Sequence, residues 1–118
     1  GGLSIKDGRF GTAKLMRLKH KPDAIIAGDD FTALGVIKKL KELDLTPPEV
    51  GVIGFANETF SAFITPNLST IDQKANKMGI ECALMFLNMI KNRSNPYENV
   101  EHIVLEPLLV ERQSSEKS

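Results

Sequence analysis

The chain of 118 residues has little of what marks several classes of protein. It has one cysteine, Cys82, so it forms no disulfide within the chain and offers no cysteine cluster to a metal ion. Cys82 lies among apolar residues in a helical pattern, which predicts a buried and unreactive thiol. Fifteen lysines and arginines balance fifteen aspartates and glutamates, for a formal net charge of zero. The sequence therefore has no basic excess of the kind that displaces counterions from nucleic acid.

Long apolar runs and catalytic clusters are also missing from the sequence. No run reaches the length of a membrane span and no signal-peptide pattern opens the chain, so we expect a cytoplasmic protein without a membrane segment. The two histidines, His20 and His102, have no cysteine, serine or metal-ligand partner in the pattern and are predicted to lie on the surface. The sequence predicts no catalytic residue, no metal, no cofactor and no enzyme activity.

The stretch from Pro22 to Gly35 is the most informative in the chain. Its apolar run, residues 24–28, predicts a buried parallel strand, and an amphipathic helical pattern starts directly after it. Two carboxylates, Asp29 and Asp30, stand between the strand and the helix. We expect Asp30 to cap the helix, since a side-chain oxygen there accepts from the free amides of the first turn. The carboxylate that does not cap the helix is then expected to face the crevice where open α/β sheets bind their ligands, outside the carboxyl ends of the strands.

Strand and helix patterns alternate further along the chain, which predicts an α/β fold. A second apolar run, residues 50–55, predicts another buried strand, parallel to the first because a helix separates them. Asn57 and Glu58 follow this strand and are expected at the same edge of the sheet as Asp29. The other predicted elements are a helix from Asp7 or Gly8 that ends at Pro22, a helical turn at 59–63, a strand at 68–71, a helix at 74–92, and strands at 102–105 and 108–111.

The helix predicted for residues 74–92 is apolar over most of its surface. Only Lys77, Glu81, Asn88 and Lys91 form a narrow polar stripe. A helix with this pattern is expected to be buried on two sides. In a chain of this size, such burial requires further sequence or a partner chain.

Several stretches, taken in order, resemble those of the lactose/galactose-repressor (LacI/GalR) family. They are residues 22–35 (PDAIIAGDDFTALG), 50–55 (VGVIGF), 65–73 (TPNLSTIDQ) with Met78-Gly79 after them, and 108–114 (LLVERQS). The resemblance covers nearly the whole chain. It implies an α/β fold that is part of a periplasmic-binding-protein type I core, a doubly wound parallel sheet, and mostly its second lobe.

The resemblance also implies how the chain is divided between lobes and which ligands and partners it has. Residues 1–72 would form the sheet and helices of the second lobe, residues 73–107 a crossover segment belonging to the first lobe, and residues 108–118 a return strand with a frayed tail. The family binds a small-molecule effector, such as a sugar, a sugar derivative or a nucleobase, and forms homodimers. Its operator DNA is bound by an N-terminal helix-turn-helix domain, which this fragment lacks, so DNA contact is expected only through that missing domain.

The resemblance implies five candidate effector-binding residues. Leu3, Asp29, Ala56 and Gln73 match positions of effector contacts in the family, and Asn57 follows Ala56. Leu3 stands where many members stack an aromatic ring on the ligand, and a leucine offers no ring face. Ala56 stands where many members have an aspartate that holds sugar hydroxyls or a purine, so that acceptor is missing here. Asn57 or Asp29 would have to supply the lost contact. Gln73 would lie on the hinge side of the pocket.

Two other functions remain open from the sequence. A periplasmic sugar-binding protein of an ABC transporter shares the fold, and it would need a signal peptide or a lipoprotein cysteine upstream. A small α/β enzyme that uses Asp29 as a base is the third possibility. The stretch at residues 68–73 and the ending at residues 112–114 favour the transcriptional regulator.

Overall fold

The computed structural model describes residues 2–92 and 102–117, in which helices alternate with short strands. This confirms the α/β fold. The elements are, in chain order, α1 (Ile5–Leu15), β1 (Ala24–Ile26), α2 (Asp30–Glu42), β2 (Gly51–Ile53), a 3₁₀ turn (Thr59–Ala62), β3 (Thr70–Asp72), α3 (Ala75–Lys91), β4 (Leu108–Val110) and a second 3₁₀ turn (Gln113–Ser115).

The strands form two pairs that a single bridge joins. β1 and β2 are parallel, with Ile25 opposite Val52, and α2 connects them, as the two apolar runs predict. β3 and β4 are antiparallel. A parallel bridge between Ile53 and Ser69 places β3 beside β2. The strands β1, β2 and β3 therefore lie side by side in that order.

The helices α1 and α2 pack closely because each has a glycine at their contact. A side chain at Gly8 would overlap the backbone at Thr32, and one at Gly35 would overlap the backbone at Ile5. Thr12, which is buried on α1, donates its hydroxyl to the carbonyl of Gly8 at 2.8 Å. The apolar side chains of the core are those of Met16, Ile25, Ala27, Ala33, Val36, Ile37, Leu40, Val50, Val52 and Leu68.

An ion pair joins the same two helices at the surface. Arg9 of α1 contacts the carboxylate of Glu42 at the end of α2, and Lys39 donates to this carboxylate at 2.9 Å. The hydrogen bond from Lys39, and after it the charge of Arg9, hold the pKa of Glu42 below its ordinary value of 4.5. A lowered pKa means that the stabilisation is complete above pH 4.5 and is lost as the pH falls through the folded-state pKa. This stabilisation is small because the ion pair is exposed to solvent.

The ends of several elements differ from the prediction. α1 begins at Ile5 because Ser4 caps it, accepting from the Asp7 amide at 3.1 Å, and it ends well before Pro22. Each strand has three residues, fewer than the apolar run that predicted it. The strand predicted at residues 102–105 is wrong, since these residues form no strand, whereas the strand predicted at 108–111 is confirmed as β4.

The helix α3 confirms the predicted long helix but not its burial. None of its residues is buried within this chain. Cys82, predicted to be a buried thiol, is exposed for the same reason: no described element covers its side of the helix. The large apolar side chains that α3 exposes are those of Met78, Ile80, Leu84, Phe86, Leu87, Met89 and Ile90.

The crossover segment predicted at residues 73–107 is described only in part, because residues 93–101 lie outside the described residues. Its assignment to a first lobe stays a prediction. Among the helices of residues 2–92 and 102–117, none is both long enough and apolar enough to cross a membrane.

Candidate functional site

The carboxyl ends of β1, β2 and β3 meet along one edge of the sheet. β1 and β2 are parallel, and the bridge that joins β2 to β3 is parallel too, so all three strands end on the same side. The amide of Ala56 donates to the carbonyl of Ile71 at 3.0 Å, which holds the chain after β2 beside β3. We call this edge, residues 28–30, 54–58 and 72–74, the rim. Four of the five predicted contact residues lie on it: Asp29, Ala56, Asn57 and Gln73.

Asp29 caps α2, so the prediction of a cap at Asp30 is wrong. The backbone of Asp29 is extended, and its carboxylate accepts from the amide of Thr32 at 2.7 Å. The helix begins at Asp30 itself, and a cap is the last residue before the helical backbone. Asp29 is half-buried and, within the described residues, uses one carboxylate oxygen for this bond. Its second oxygen is therefore an acceptor at the rim.

Asp30 is fully buried and joins three segments of the chain. One oxygen accepts from the amide of Glu58 and the hydroxyl of Ser61, both at 2.7 Å. The other oxygen accepts from the hydroxyl of Thr70 at 2.7 Å. A side chain at Gly54 would overlap this carboxylate, so the glycine leaves it room. Asp30 thus fixes the loop after β2 and the start of β3 against α2.

An exposed leucine lies beside the rim. A side chain added at Gly28 would meet Cδ2 of Leu3 at 3.0 Å, so Leu3 covers the chain just before Asp29. Leu3 is 66% exposed, and its apolar surface is available to a ligand. Phe31, in the first turn of α2, packs against Phe60 with ring centroids 5.1 Å apart. Apolar side chains thus lie beside Gly28, the residue before Asp29, and at Phe31, the residue after Asp30.

Ala56 and Asn57 form a turn with unusual backbone angles. The φ angle is 123° at Ala56 and 56° at Asn57. Asparagine tolerates the left-handed region, whereas the region of Ala56 is one that glycine adopts far more readily. The side-chain amide of Asn57 is engaged within the protein: its oxygen accepts from Arg112 at 3.1 Å and its nitrogen donates to Asp72 at 3.3 Å. Asn57 and Asp29 were the two residues expected to compensate for the absence of an aspartate at position 56. Within the described residues, only Asp29 keeps a side-chain oxygen that accepts no hydrogen bond from the protein.

The rim exposes polar and apolar groups side by side. Asp29 offers a carboxylate oxygen to a donor, Leu3 offers apolar surface, and Gln73 is exposed at the end of β3. Across residues 2–92 and 102–117, no cluster of three histidine, cysteine, aspartate or glutamate side chains is placed to hold a metal ion. His20 and His102 are both exposed, as predicted, and neither is a rim residue.

The polar residues that hold the rim in place were not found from the sequence. Ser61 and Thr70 bind Asp30, and Arg112 and Asp72 bind Asn57. These partners lie 15 to 55 positions apart in the chain, and no local pattern predicts pairing over that distance. The available signal was their residue type, because polar side chains that become buried require hydrogen-bond partners.

Comparisons with known proteins identify one family. Residues 4–115 match the model of the periplasmic binding protein-like domain. The chain is similar to the HTH-type transcriptional repressor PurR of Salmonella arizonae, with 31% identity over 115 residues that make up 97% of this chain and 33% of the repressor. The chain thus spans about a third of the length of the curated relatives it matches.

Solved structures of regulators have the same fold. A LacI-type transcription regulator from Bifidobacterium animalis subsp. lactis superposes with a TM-score of 0.85 at 29% identity, covering 98% of this chain and 41% of that chain. A LacI family transcriptional regulator from Enterococcus faecium, solved with bound ribose, superposes with a TM-score of 0.82 at 26% identity, covering 95% of this chain and 40% of that chain.

Proposed function

The chain belongs to the periplasmic binding protein-like domain family, in the form that LacI/GalR-type regulators contain, and we propose that its rim binds the effector of such a regulator. The observation that supports this most is the rim itself. Three strands end on one side of the sheet. The half-buried carboxylate of Asp29 lies there and uses one oxygen to cap α2, which leaves the other oxygen as an acceptor, and the exposed Leu3 lies nearby. Such an edge is where open α/β sheets bind ligands.

The effector we propose is a small molecule that donates a hydrogen bond to Asp29 and packs on Leu3. Sugars, sugar derivatives and nucleobases all have suitable donors, and a similar regulator was solved with ribose. The side chain of Ala56 has no hydrogen-bond acceptor. Asp29 would therefore contribute more to effector binding than it would if an aspartate also stood at position 56. Gln73, exposed beside it, would contact the effector from the side of β3.

The regulatory mechanism we propose is a shift between two arrangements of the lobes. An effector that binds one arrangement better than the other increases its population, and the shift can be no larger than the difference in affinity. In a homodimer, this would change the spacing of two DNA-binding domains, which lie outside this chain and would contact operator DNA in the cytoplasm. A transporter's sugar-binding protein is less well supported, since the relatives named above are transcriptional regulators.

A thermal-shift screen of the full-length protein tests this proposal. Ribose, other sugars, sugar phosphates and nucleobases would be added singly, and the melting temperature measured. At a hundred times its dissociation constant, a true effector stabilises the protein by about 2.7 kcal/mol, which raises the melting temperature by several degrees. The same compound should change the affinity for operator DNA in a fluorescence anisotropy titration. A protein that binds no DNA at low salt would contradict the assignment as a regulator.

A further inference from the structure

A chain of hydrogen bonds runs from the end of the described chain to the start of α3 through Asn57. Arg112 donates to the side-chain oxygen of Asn57 at 3.1 Å, and the nitrogen of Asn57 donates to Asp72 at 3.3 Å. The second oxygen of Asp72 accepts from the backbone amide of Lys74 at 2.7 Å. Three segments that are distant in sequence, the rim loop, the end of β3 and the residues after β4, thus meet at one asparagine.

The chemistry of the partners fixes which way the amide of Asn57 points. A guanidinium group only donates and an ionised carboxylate only accepts, so the oxygen of Asn57 must face Arg112 and the nitrogen must face Asp72. An aspartate at this position would oppose Asp72 with a like charge, and an aliphatic residue would form neither of the two hydrogen bonds. Of the residues of similar shape, asparagine alone satisfies both partners at once.

Both ends of this chain of bonds are firmly held. Arg112 also donates to the carbonyl of Leu68 at 2.7 Å, and its backbone amide donates to the hydroxyl of Ser69 at 2.7 Å. Lys74 has a left-handed backbone, with φ of 54°, and is the N-cap residue directly before α3. The side chain of Lys74 makes no capping bond, so the Asp72 carboxylate is what fixes the entry of the chain into α3.

We propose that Asn57 is a positioning residue that joins the rim to both segments leading to and from the predicted first lobe, so that the rim and the start of α3 move together. A displacement of the loop at residues 56–58 must then break the bonds of Asn57 or move Asp72 and Lys74 with it. The left-handed backbone of Asn57 itself, with φ of 56°, is held by its amide, which donates to the hydroxyl of Thr70 at 3.2 Å. The importance of this coupling for regulation rests on the proposed function, but the coupling itself does not.

Hydrogen exchange of the full-length protein, without added ligand, tests the coupling. Asn57→Ala removes both bonds, and Asn57→Asp keeps the acceptor for Arg112 while it repels Asp72. Asn67→Ala is the matched control, because the side chain of Asn67 accepts from the Gln113 amide at 2.9 Å and touches the same C-terminal segment without reaching Asp72. The readout is the exchange rate of the Lys74 and Met78 amides against that of Ala27, which donates across β1 and β2 at 2.8 Å.

Both Asn57 variants are expected to exchange at least about tenfold faster at Lys74 and Met78, a loss of about 1.4 kcal/mol of local stability, with the rate at Ala27 unchanged. The control is expected to leave all three rates as in the wild type. Unchanged rates at the start of α3 in the Asn57 variants would overturn the proposal. A uniform rise that includes Ala27 would overturn it too, since that result indicates a merely structural role. Neither result depends on an effector, so a failure here is separate from a failure of the proposed function.

Discussion

Replacing Asp30 with alanine is expected to lower the free energy of unfolding by about 4 kcal/mol, a large part of the total for an ordinary domain. The carboxylate is fully buried and accepts three hydrogen bonds. Without it, the hydroxyls of the fully buried Ser61 and Thr70 and the partly buried amide of Glu58 lose their acceptor. Each buried donor without a partner costs about 1–3 kcal/mol. Urea denaturation of the full-length protein, followed by circular dichroism, measures this loss.

Asp30→Asn separates the effect of the hydrogen bonds from that of shape. An asparagine oxygen would still accept from Glu58 and Ser61, and its nitrogen would donate to the hydroxyl of Thr70, which is able to accept. We therefore expect less than half the loss seen with alanine. Asp23→Ala, at an exposed aspartate on the amino side of β1, is the control and should stay within about 0.5 kcal/mol of the wild type. Equal stability of Asp30→Ala and the control would contradict the role of this carboxylate.

The 118-residue chain on its own is expected to self-associate through α3. The helix buries none of its residues within the chain and exposes seven large apolar side chains. Burying one such side chain against a second copy contributes about 1.5–3 kcal/mol, so a few paired residues suffice for a stable contact. Sedimentation velocity at increasing concentration should show dimers or larger species.

Charged residues on α3 should abolish this association. Leu84→Glu with Leu87→Glu places two carboxylates on one exposed face of the helix, because residues three apart are neighbours there. Lys77→Glu, on the polar stripe, changes the charge without removing apolar surface and serves as the control. We expect the double variant to be monomeric and the control to associate as the wild type does. A well-folded wild-type chain that stays monomeric at high concentration would contradict the role of the exposed α3 surface.

Periodicity predicted the helices and strands well and their ends less well. The run at residues 24–28 and the pattern after it gave β1 and α2, and the run at 50–55 gave the parallel β2. The strands are shorter than their apolar runs, although the amide of Ala27, just beyond β1, still donates to the carbonyl of Ile53 at 2.8 Å. The strand predicted at residues 102–105 did not form, although its alternation of residue types is typical of one. An alternating sequence indicates which side chains would be exposed, but a strand also needs a second strand with which to form hydrogen bonds.

The candidate site was predicted in position but not in detail. Asp29 and Asp30 were correctly placed at the carboxyl end of a strand, but the cap was assigned to Asp30 and is Asp29, because the cap depends on where the helical backbone starts. The engagement of Asn57 by Arg112 depends on a contact across 55 positions, which no local pattern contains. The φ angle of Ala56 was likewise hidden, since alanine gives no sign of a glycine-like backbone.

The most direct test of effector binding at the rim is an isothermal titration of the full-length protein with the compound that raises its melting temperature most. Asp29→Ser keeps a capping oxygen for α2 and removes the carboxylate, so its stability should change little. Its affinity for the compound should fall about tenfold or more, since a hydrogen bond to a charged group is worth about 1.5–3 kcal/mol. Asp23→Ser, at the other end of β1, should bind as the wild type does. Wild-type affinity in Asp29→Ser would contradict effector binding at this rim.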